Sequence, residues 1–430
     1  MTMKQPLKID FVQDGGKISQ EIVTKYNLSG KDFKYSYSDN EETNVYYSNF
    51  VGLVRSGKDD SLLFSAPKHY MNKEKFDNLE ITEKYKIIKT VTASINKDID
   101  DTQFTRYNHS KDVVGNFAFE AYRRICDYYL TYGLYRDQEN YYKKGYGSHI
   151  SWKKTISRSS KYVFDGKLMM IPLVIKKKRQ LTNLITECMI FTLNYTQTMY
   201  GNFIDVYRAD ELRDHGINQR ILDNTDGIVN QLFQIKTTIF KDRENQLIDN
   251  LIIFLKRVNS KNKKIKQSIK DYNYEHVWES AVEKYLNTNF DDINKNGKLT
   301  FKSNIKRHKF KKISAHYDNQ HKKRHLDPDH YHFEESTRAL YLFDSKYYVK
   351  VDELNHKQLV YHFLFGNRAG TKKIYDALIV PTEGETDTEV HVEINNKFLE
   401  ENNSITIYLC YLNAQKTIEL YSSRNKEKYF

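Results

Sequence analysis

Cysteine is scarce: Cys126, Cys188 and Cys410 are the three in 430 residues, far apart and each in apolar surroundings. That count excludes a disulfide framework and a cysteine-based zinc knuckle, and buried thiols are expected instead. Five prolines and 17 glycines exclude collagen-like, linker-dominated and low-complexity designs. No apolar run approaches the roughly 20 residues that a bilayer-spanning helix requires. The residues after Met1 are polar and lack the apolar core of a secretory signal, so a cytoplasmic protein is expected.

Aromatic residues, by contrast, are plentiful. With 34 Tyr and 23 Phe they reach 14% of the chain, too many for a disordered polymer even though the apolar share is only 39%. Lys and Arg number 68 against 56 Asp and Glu, a formal charge of +12 that suits a polyanionic partner. At about 100–200 residues per domain, two or three domains are expected.

Three segments are expected. Residues 1–105 read as strand-rich, with a hairpin signal in Phe50–Val54, the turn Ser56–Asp60 and Leu62–Phe64. Residues 106–265 read as mainly helical. Phe117, Phe119, Tyr122, Ile125 and Cys126 can share one face, and two further stripes follow, one of Leu184, Cys188, Phe191 and Tyr195, the other of Leu247, Ile248, Leu251, Ile252 and Leu255. A strand at Leu168–Ile175 interrupts them, with Pro172 marking an edge or a bulge. The polar run Asn259–Lys264 marks a boundary, and residues 266–430 read as mixed α/β: a helix over Val277–Leu286, short strands, a helix over Asn355–Phe365, and strands near Ala377–Val380 and Ile405–Leu412.

Three familiar motifs fail. Gly52–Lys58 has the spacing of a phosphate-binding loop, but Asp59 stands where a Ser or Thr should reach magnesium, and a hairpin supplies no helix N-terminus. Asp292–Gly297 opens like a calcium loop, yet Ser303 occupies the position that needs a bidentate Glu, so a turn is expected. Histidines are dense between His308 and His332, but no cysteine or regularly spaced third ligand completes a zinc signature, so surface or DNA-facing histidines are expected.

The chemistry is concentrated in His325–Phe333 and Ala339–Tyr348. Alternation along a strand places Asp344 and Lys346 on one face, with the Ser345 carbonyl at the edge. If the two strands pair, Asp329 meets Asp344. Two carboxylates and a carbonyl are hard oxygen ligands that suit magnesium better than zinc. A lysine beside them can orient a water and stabilise charge on a scissile phosphate. The stretch 301–325 leads into this site with nine Lys or Arg against the single acid Asp318, and with Phe301, Phe310 and Tyr317 interleaved. Lys311, Lys312, Lys322 and Lys323 are the candidate phosphate contacts, because affinity for nucleic acid comes largely from neutralising phosphates. An ordinary hairpin with a surface ion pair is the competing reading of the same residues.

Pro328-Asp329 with Asp344-Ser345-Lys346 resembles the PD-(D/E)xK nuclease motif, and the extended Asp-Ser-Lys-Tyr-Tyr run resembles the nuclease subunits of the McrBC class, most closely the LlaJI-type restriction endonucleases. Val277-Trp278-Glu279 upstream, Lys357-Gln358 with Tyr361 downstream, Ala377–Pro381, and the N-terminal Phe50–Val54 with Pro67-Lys68-His69-Tyr70 match in the same order. The resemblance implies that Asp329 and Asp344, with the Ser345 carbonyl, are magnesium ligands, that Lys346 positions water, and that Glu279 is an extra acid. Lys357, Gln358 and Tyr361 either support the site or touch DNA. It further implies an endonuclease that cuts double-stranded DNA in a restriction or anti-phage system, with a separate AAA+ GTPase, McrB-like, as partner and no nucleotide on this chain. Residues 1 to about 260 are then expected to be an adaptor for that motor, the alternative being a self-contained DNA-recognition domain. A catalytically inactive DNA-binding or assembly subunit is the competing function, disfavoured by the intact set of two acids and a lysine. RNA cleavage is disfavoured for want of an RNA-reading aromatic motif.

Overall fold

The computed structural model describes residues 8–38, 43–56, 59, 61–103, 113–115, 119–147, 149–181, 183–204, 212, 216–258, 268–316, 325–348, 356–366, 370–394 and 404–423. They form two compact units of mixed α and β structure. One joins residues 1–116 and 202–205 to 262–430, and the other comprises 117–201 with 206–261.

The first unit holds two five-stranded sheets. The N-terminal sheet runs, edge to edge, through Ile9–Gln13, Leu62–Ala66, Val51–Arg55, Ser268–Asp271 and Val113–Gly115. Val51–Arg55 and Leu62–Ala66 pair antiparallel, which is the hairpin expected from sequence. Every residue of Leu62–Ala66 is buried, the polar Ser65 included, where a half-exposed strand would alternate. Gly52, at φ 139°, lets Ser268–Asp271 approach; a Cβ there would stand 2.0 Å from the Ile269 carbonyl oxygen.

That contact alters the expected domain plan. Ser268–Asp271 lies beyond the 265/266 boundary, yet it is a strand of the N-terminal sheet, paired with Val51–Arg55 and Val113–Gly115. Lys270 on it makes a buried 2.6 Å ion pair with Asp32, which also accepts from the Tyr272 hydroxyl at 2.8 Å. The long helix Ile81–Gln103 packs on the helices Glu275–Asn289 and Ala414–Ser422. Residues 1–105 therefore share one compact unit with the segment that carries Asp329, Asp344 and Lys346, and are not set apart from it. The polar run at 259–264 lies outside the described residues.

The C-terminal sheet has the order His330–Glu334, Ala339–Ser345, Lys373–Thr382, Thr406–Asn413, Asp387–Glu393. Its two outer pairs are antiparallel and its two inner pairs parallel. Ala339–Ser345 is buried throughout. The crossover from it to Lys373–Thr382 contains the helix His356–Gly366, which packs on both strands.

The second unit has helices Phe119–Tyr132, Leu184–Tyr200, Thr225–Lys236 and Asp242–Val258 among its elements. Cys188, Phe191, Tyr195 and the Leu247–Leu255 stripe are buried, as their spacing implied. Two small sheets accompany them. The single strand expected at Leu168–Ile175 is divided at Pro172, which has no N–H to give a ladder, so Lys167–Ile171 pairs with Ser160–Phe164 and Val174–Leu181 with Asp137–Lys144. All three cysteines are buried thiols that form no disulfide among the described residues. Among the described residues no helix is long and apolar enough to cross a membrane.

Candidate active site

The register of the C-terminal hairpin builds the site. His330 faces Phe343 across the antiparallel pair, so Asp329, one residue before the strand, lies opposite Asp344. The two carboxyl groups meet through a side-chain hydrogen bond. Asp329 Oδ2 also accepts the Ser345 backbone N–H at 3.1 Å. Lys346 ion-pairs with Asp344, as two side chains on one face of a strand should. Its own N–H bonds the Ile379 carbonyl at 2.8 Å, which anchors the strand end on the neighbouring strand.

Glu279 enters from the helix Glu275–Asn289, and Lys312 joins the two acidic groups. Its ammonium lies 2.9 Å from Glu279 Oε2 and 3.3 Å from Asp329 Oδ1. Sequence reasoning placed Lys312 on a phosphate-binding surface; the fold turns it onto carboxylates. Lys311, its neighbour, has an exposed side chain while its backbone bridges Tyr331. Lys322 and Lys323 lie outside the described residues.

These groups line a cleft of about 300 Å³ together with His325, Leu326, Asp327, Lys357 and Tyr361. The helix His356–Gly366 divides the three downstream candidates. Lys357 and Tyr361 reach the cleft, whereas Gln358 points into the core and donates to the Leu342 carbonyl at 2.8 Å and to Asp376 Oδ1 at 2.9 Å. Gln358 is thus a support beneath the central strand. Asp376, nearly fully buried, is also paired with His362 Nδ1 at 2.5 Å.

Charge is unevenly compensated in the cleft. Burial and the adjacent Asp329 push the Asp344 carboxyl up to about 7, against a partial offset from Lys346. Burial would also raise Glu279, but His276 and Lys312 outweigh it and hold this carboxyl down at about 2. Lys312 and Lys346 are both held above the ordinary lysine value by these acids, against the partial desolvation that opposes it. Burial pushes the Tyr361 hydroxyl up to about 12, helped by Asp344 and Asp329; it donates to the Asp327 carbonyl at 3.2 Å. His330 is fully buried under the site, is driven down to about 4 by burial, and contacts Ser345 Oγ through Nε2 at 2.6 Å.

Sequence reasoning missed His330, Asp327 and the Asp376–His362 pair. Asp327 and His330 flank Pro328-Asp329 in the segment singled out by its charge pattern; nothing local to Asp376 or His362 marks them. The N-terminal motif Pro67–Tyr70 also acquires a place, because the Lys68 N–H donates to the Tyr347 hydroxyl at 2.8 Å and Lys68 Nζ to the Tyr347 carbonyl at 3.1 Å. It buttresses the residue that follows Lys346. The calcium-like segment is a turn, with Asn294 Oδ1 accepting from the N–H groups of Asn296 and Lys298.

A family model for LlaJI restriction endonucleases matches residues 50–414. No match was found among curated proteins. Among solved structures, the assembly of Thermococcus gammatolerans McrB AAA+ hexamers with bound McrC is similar at a TM-score of 0.39 and 10% identity, over 96% of this chain and 98% of that chain. A likeness that weak carries nothing about function here. The family match, in contrast, spans the N-terminal hairpin, the helical unit and every residue of the cleft, and the chain accordingly belongs to the LlaJI restriction endonuclease family.

Proposed function

We propose that this chain is the nuclease of a restriction defence system, a magnesium-dependent endonuclease that hydrolyses phosphodiester bonds of double-stranded DNA through a PD-(D/E)xK domain. The observation that carries this reading is the buried, touching pair Asp329 and Asp344 with Lys346 against it. Two carboxyl groups at that separation hold a shared proton or a cation, and the rise of Asp344 to about 7 measures how poorly the protein alone compensates the second charge. Oxygen donors in such a pair fit magnesium. Asp329, Asp344 and the Ser345 carbonyl would hold the ion, and when bound it supplies positive charge to the scissile phosphate.

The remaining roles belong to the chain. Lys346 orients the attacking water and offers its ammonium to the phosphate oxygens as charge develops. Glu279, kept ionised by His276 and Lys312, is a second acid on the far wall. Lys312 holds Glu279 and Asp329 in register, the exposed Lys357 faces the DNA backbone, and the buried Tyr361 supports the cleft wall through the Asp327 carbonyl.

An AAA+ GTPase on a separate chain, McrB-like, is proposed as partner. The nearest approach to a nucleotide motif here begins in the strand Val51–Arg55, and beyond it Asp59 accepts from the Ser61 hydroxyl at 2.7 Å. That supports placing nucleotide hydrolysis elsewhere. Because the N-terminal sheet shares a unit with the cleft, its adaptor role is played by an outer face of that unit.

Plasmid nicking with magnesium, with and without the GTPase, tests the proposal. The expected result is cleavage by the native chain, no cleavage in a chelator, and none in Asp344→Ala or Lys346→Ala. Native cutting rates in either purified variant overturn it.

A further inference from the structure

Outside the cleft, three side chains converge on one point. His308 is 2% exposed, and its Nε2 lies 2.8 Å from the Asp291 carbonyl oxygen. A carbonyl only accepts, so Nε2 carries the ring proton and Nδ1 is left as a bare lone pair. That Nδ1 has no hydrogen-bond partner among the described residues and stands 3.7 Å from Glu334 Oε2. His332 repeats the arrangement. Its Nε2 is buried and unpartnered, 3.7 Å from the same Oε2, while the Lys309 backbone takes up the ring's hydrogen bond. The other oxygen of Glu334 is committed to Ser336, accepting from its hydroxyl at 2.9 Å. All three donor atoms lie within 4.8 Å of one another.

Two imidazole lone pairs and a carboxylate oxygen facing each other, with nothing between them to donate, leave buried polar atoms unsatisfied, which native folds avoid. A cation resolves this. We propose that His308, His332 and Glu334 form a binding site for a divalent transition-metal ion, with zinc the best match to two nitrogens and one carboxylate. Zinc bonds of roughly 2.0–2.2 Å imply tetrahedral ligand separations of about 3.4 Å, so the observed 3.7 Å spacings close by a few tenths of an ångström. Backbone carbonyls that fix the outer ring nitrogens are the usual support of histidine ligands. Glu334 and His332 remain partly exposed, at 22% and 14%, which gives water access to a fourth position.

None of the three lines the catalytic cleft. Their place in the fold suggests what the ion does. His332 and Glu334 share one face of the strand that begins just after Asp329, and His308 opens the segment that runs through Phe310 to Lys312. The aromatic rings of Phe290, Phe310 and Tyr341 pack around His308 and exclude solvent from its inner side. A metal here clips the 308–312 segment onto the strand, next to the Lys311–Tyr331 bridge, and so sets where Lys312 meets Glu279 and Asp329.

The test uses the full-length chain without an affinity tag, stripped with a chelator and then titrated with zinc or cobalt(II) in the absence of magnesium. One equivalent of zinc should bind per chain and raise the thermal midpoint, and cobalt should give the visible absorption of a four-coordinate site. His332→Gln and the partly exposed, fold-sparing Glu334→Gln should weaken zinc by more than about 100-fold, since even loss of an outer-shell partner costs 10–100-fold. Asp344→Asn should bind zinc like the native chain, which separates this site from the cleft. A native chain that takes up no zinc, or Glu334→Gln binding it equally well, overturns the proposal in favour of a protonated histidine pair on Glu334.

Discussion

Asp344→Asn isolates the electrostatics of the cleft. The carboxyl is almost wholly buried and sits near 7 in the folded chain against an ordinary value of 3.8. Because the folded-state value is the higher one, the folded protein binds this proton more tightly than the unfolded chain. The resulting stability is complete below about 3.8 and is lost as pH rises through 7. At 1.36 kcal/mol per unit, the native chain without metal should lose roughly 2–3 kcal/mol from this group between pH 5 and pH 8. Asparagine cannot titrate, so the stability of the variant relative to the native chain should climb by that amount over the same interval. Constant costs, such as the Lys346 ammonium left without its partner, cancel in the difference. Denaturant titrations of both proteins at pH 5 and pH 8 in a chelator measure it. Magnesium should then stabilise the native chain more at pH 8 than at pH 5 and have little effect on the variant, since a ligand must be ionised to bind. A gap between the two proteins that is the same at both pH values would refute the reasoning.

Lys346→Ala should lose cleavage while retaining DNA affinity, read by nicking and gel-shift assays on the same preparation, because the lysine acts on charge that develops only in the transition state. Replacing Lys311, Lys322 and Lys323 together with Gln should weaken DNA binding for all sequences alike and flatten its dependence on salt; an unchanged salt slope would show these lysines to be ordinary solvated groups. Lys270→Met leaves the buried Asp32 charge without its cation, held only by hydrogen bonds from Tyr272 and Ser29, and should cost about 3–5 kcal/mol in chemical denaturation. Gln358→Leu strips the Leu342 carbonyl and Asp376 of a donor and should cost about 1–3 kcal/mol, lowering the thermal midpoint in circular dichroism melts.

The parts of this protein that were legible in the sequence are those set by short-range geometry. A strand repeats every two residues, so Asp344 and Lys346 had to share a face, and an apolar run ending in that pair marked the site's central strand. The stripes of Leu184–Tyr195 and Leu247–Leu255 predicted buried helical faces because side chains three and four apart lie together on a helix. Tertiary structure decided what no local period encodes. Lys312 looked like one cation in a basic run until the hairpin and the Glu275–Asn289 helix brought two carboxylates to it from 33 residues upstream and 17 downstream. Gln358 and Tyr361 were one helical turn apart and equally polar, and only packing against the central strand sent one into the core and the other into the cleft. Ser268–Asp271 is four residues long, too short to announce its partners, and its place in the N-terminal sheet depends on Gly52 opening room more than 200 residues earlier in the chain. His308 and Glu334 are likewise 26 residues apart, and their convergence is a property of the folded backbone alone. Residue type and spacing record what each side chain can do; which side chains meet is determined by long-range pairing, whose cost and reward lie outside any local window.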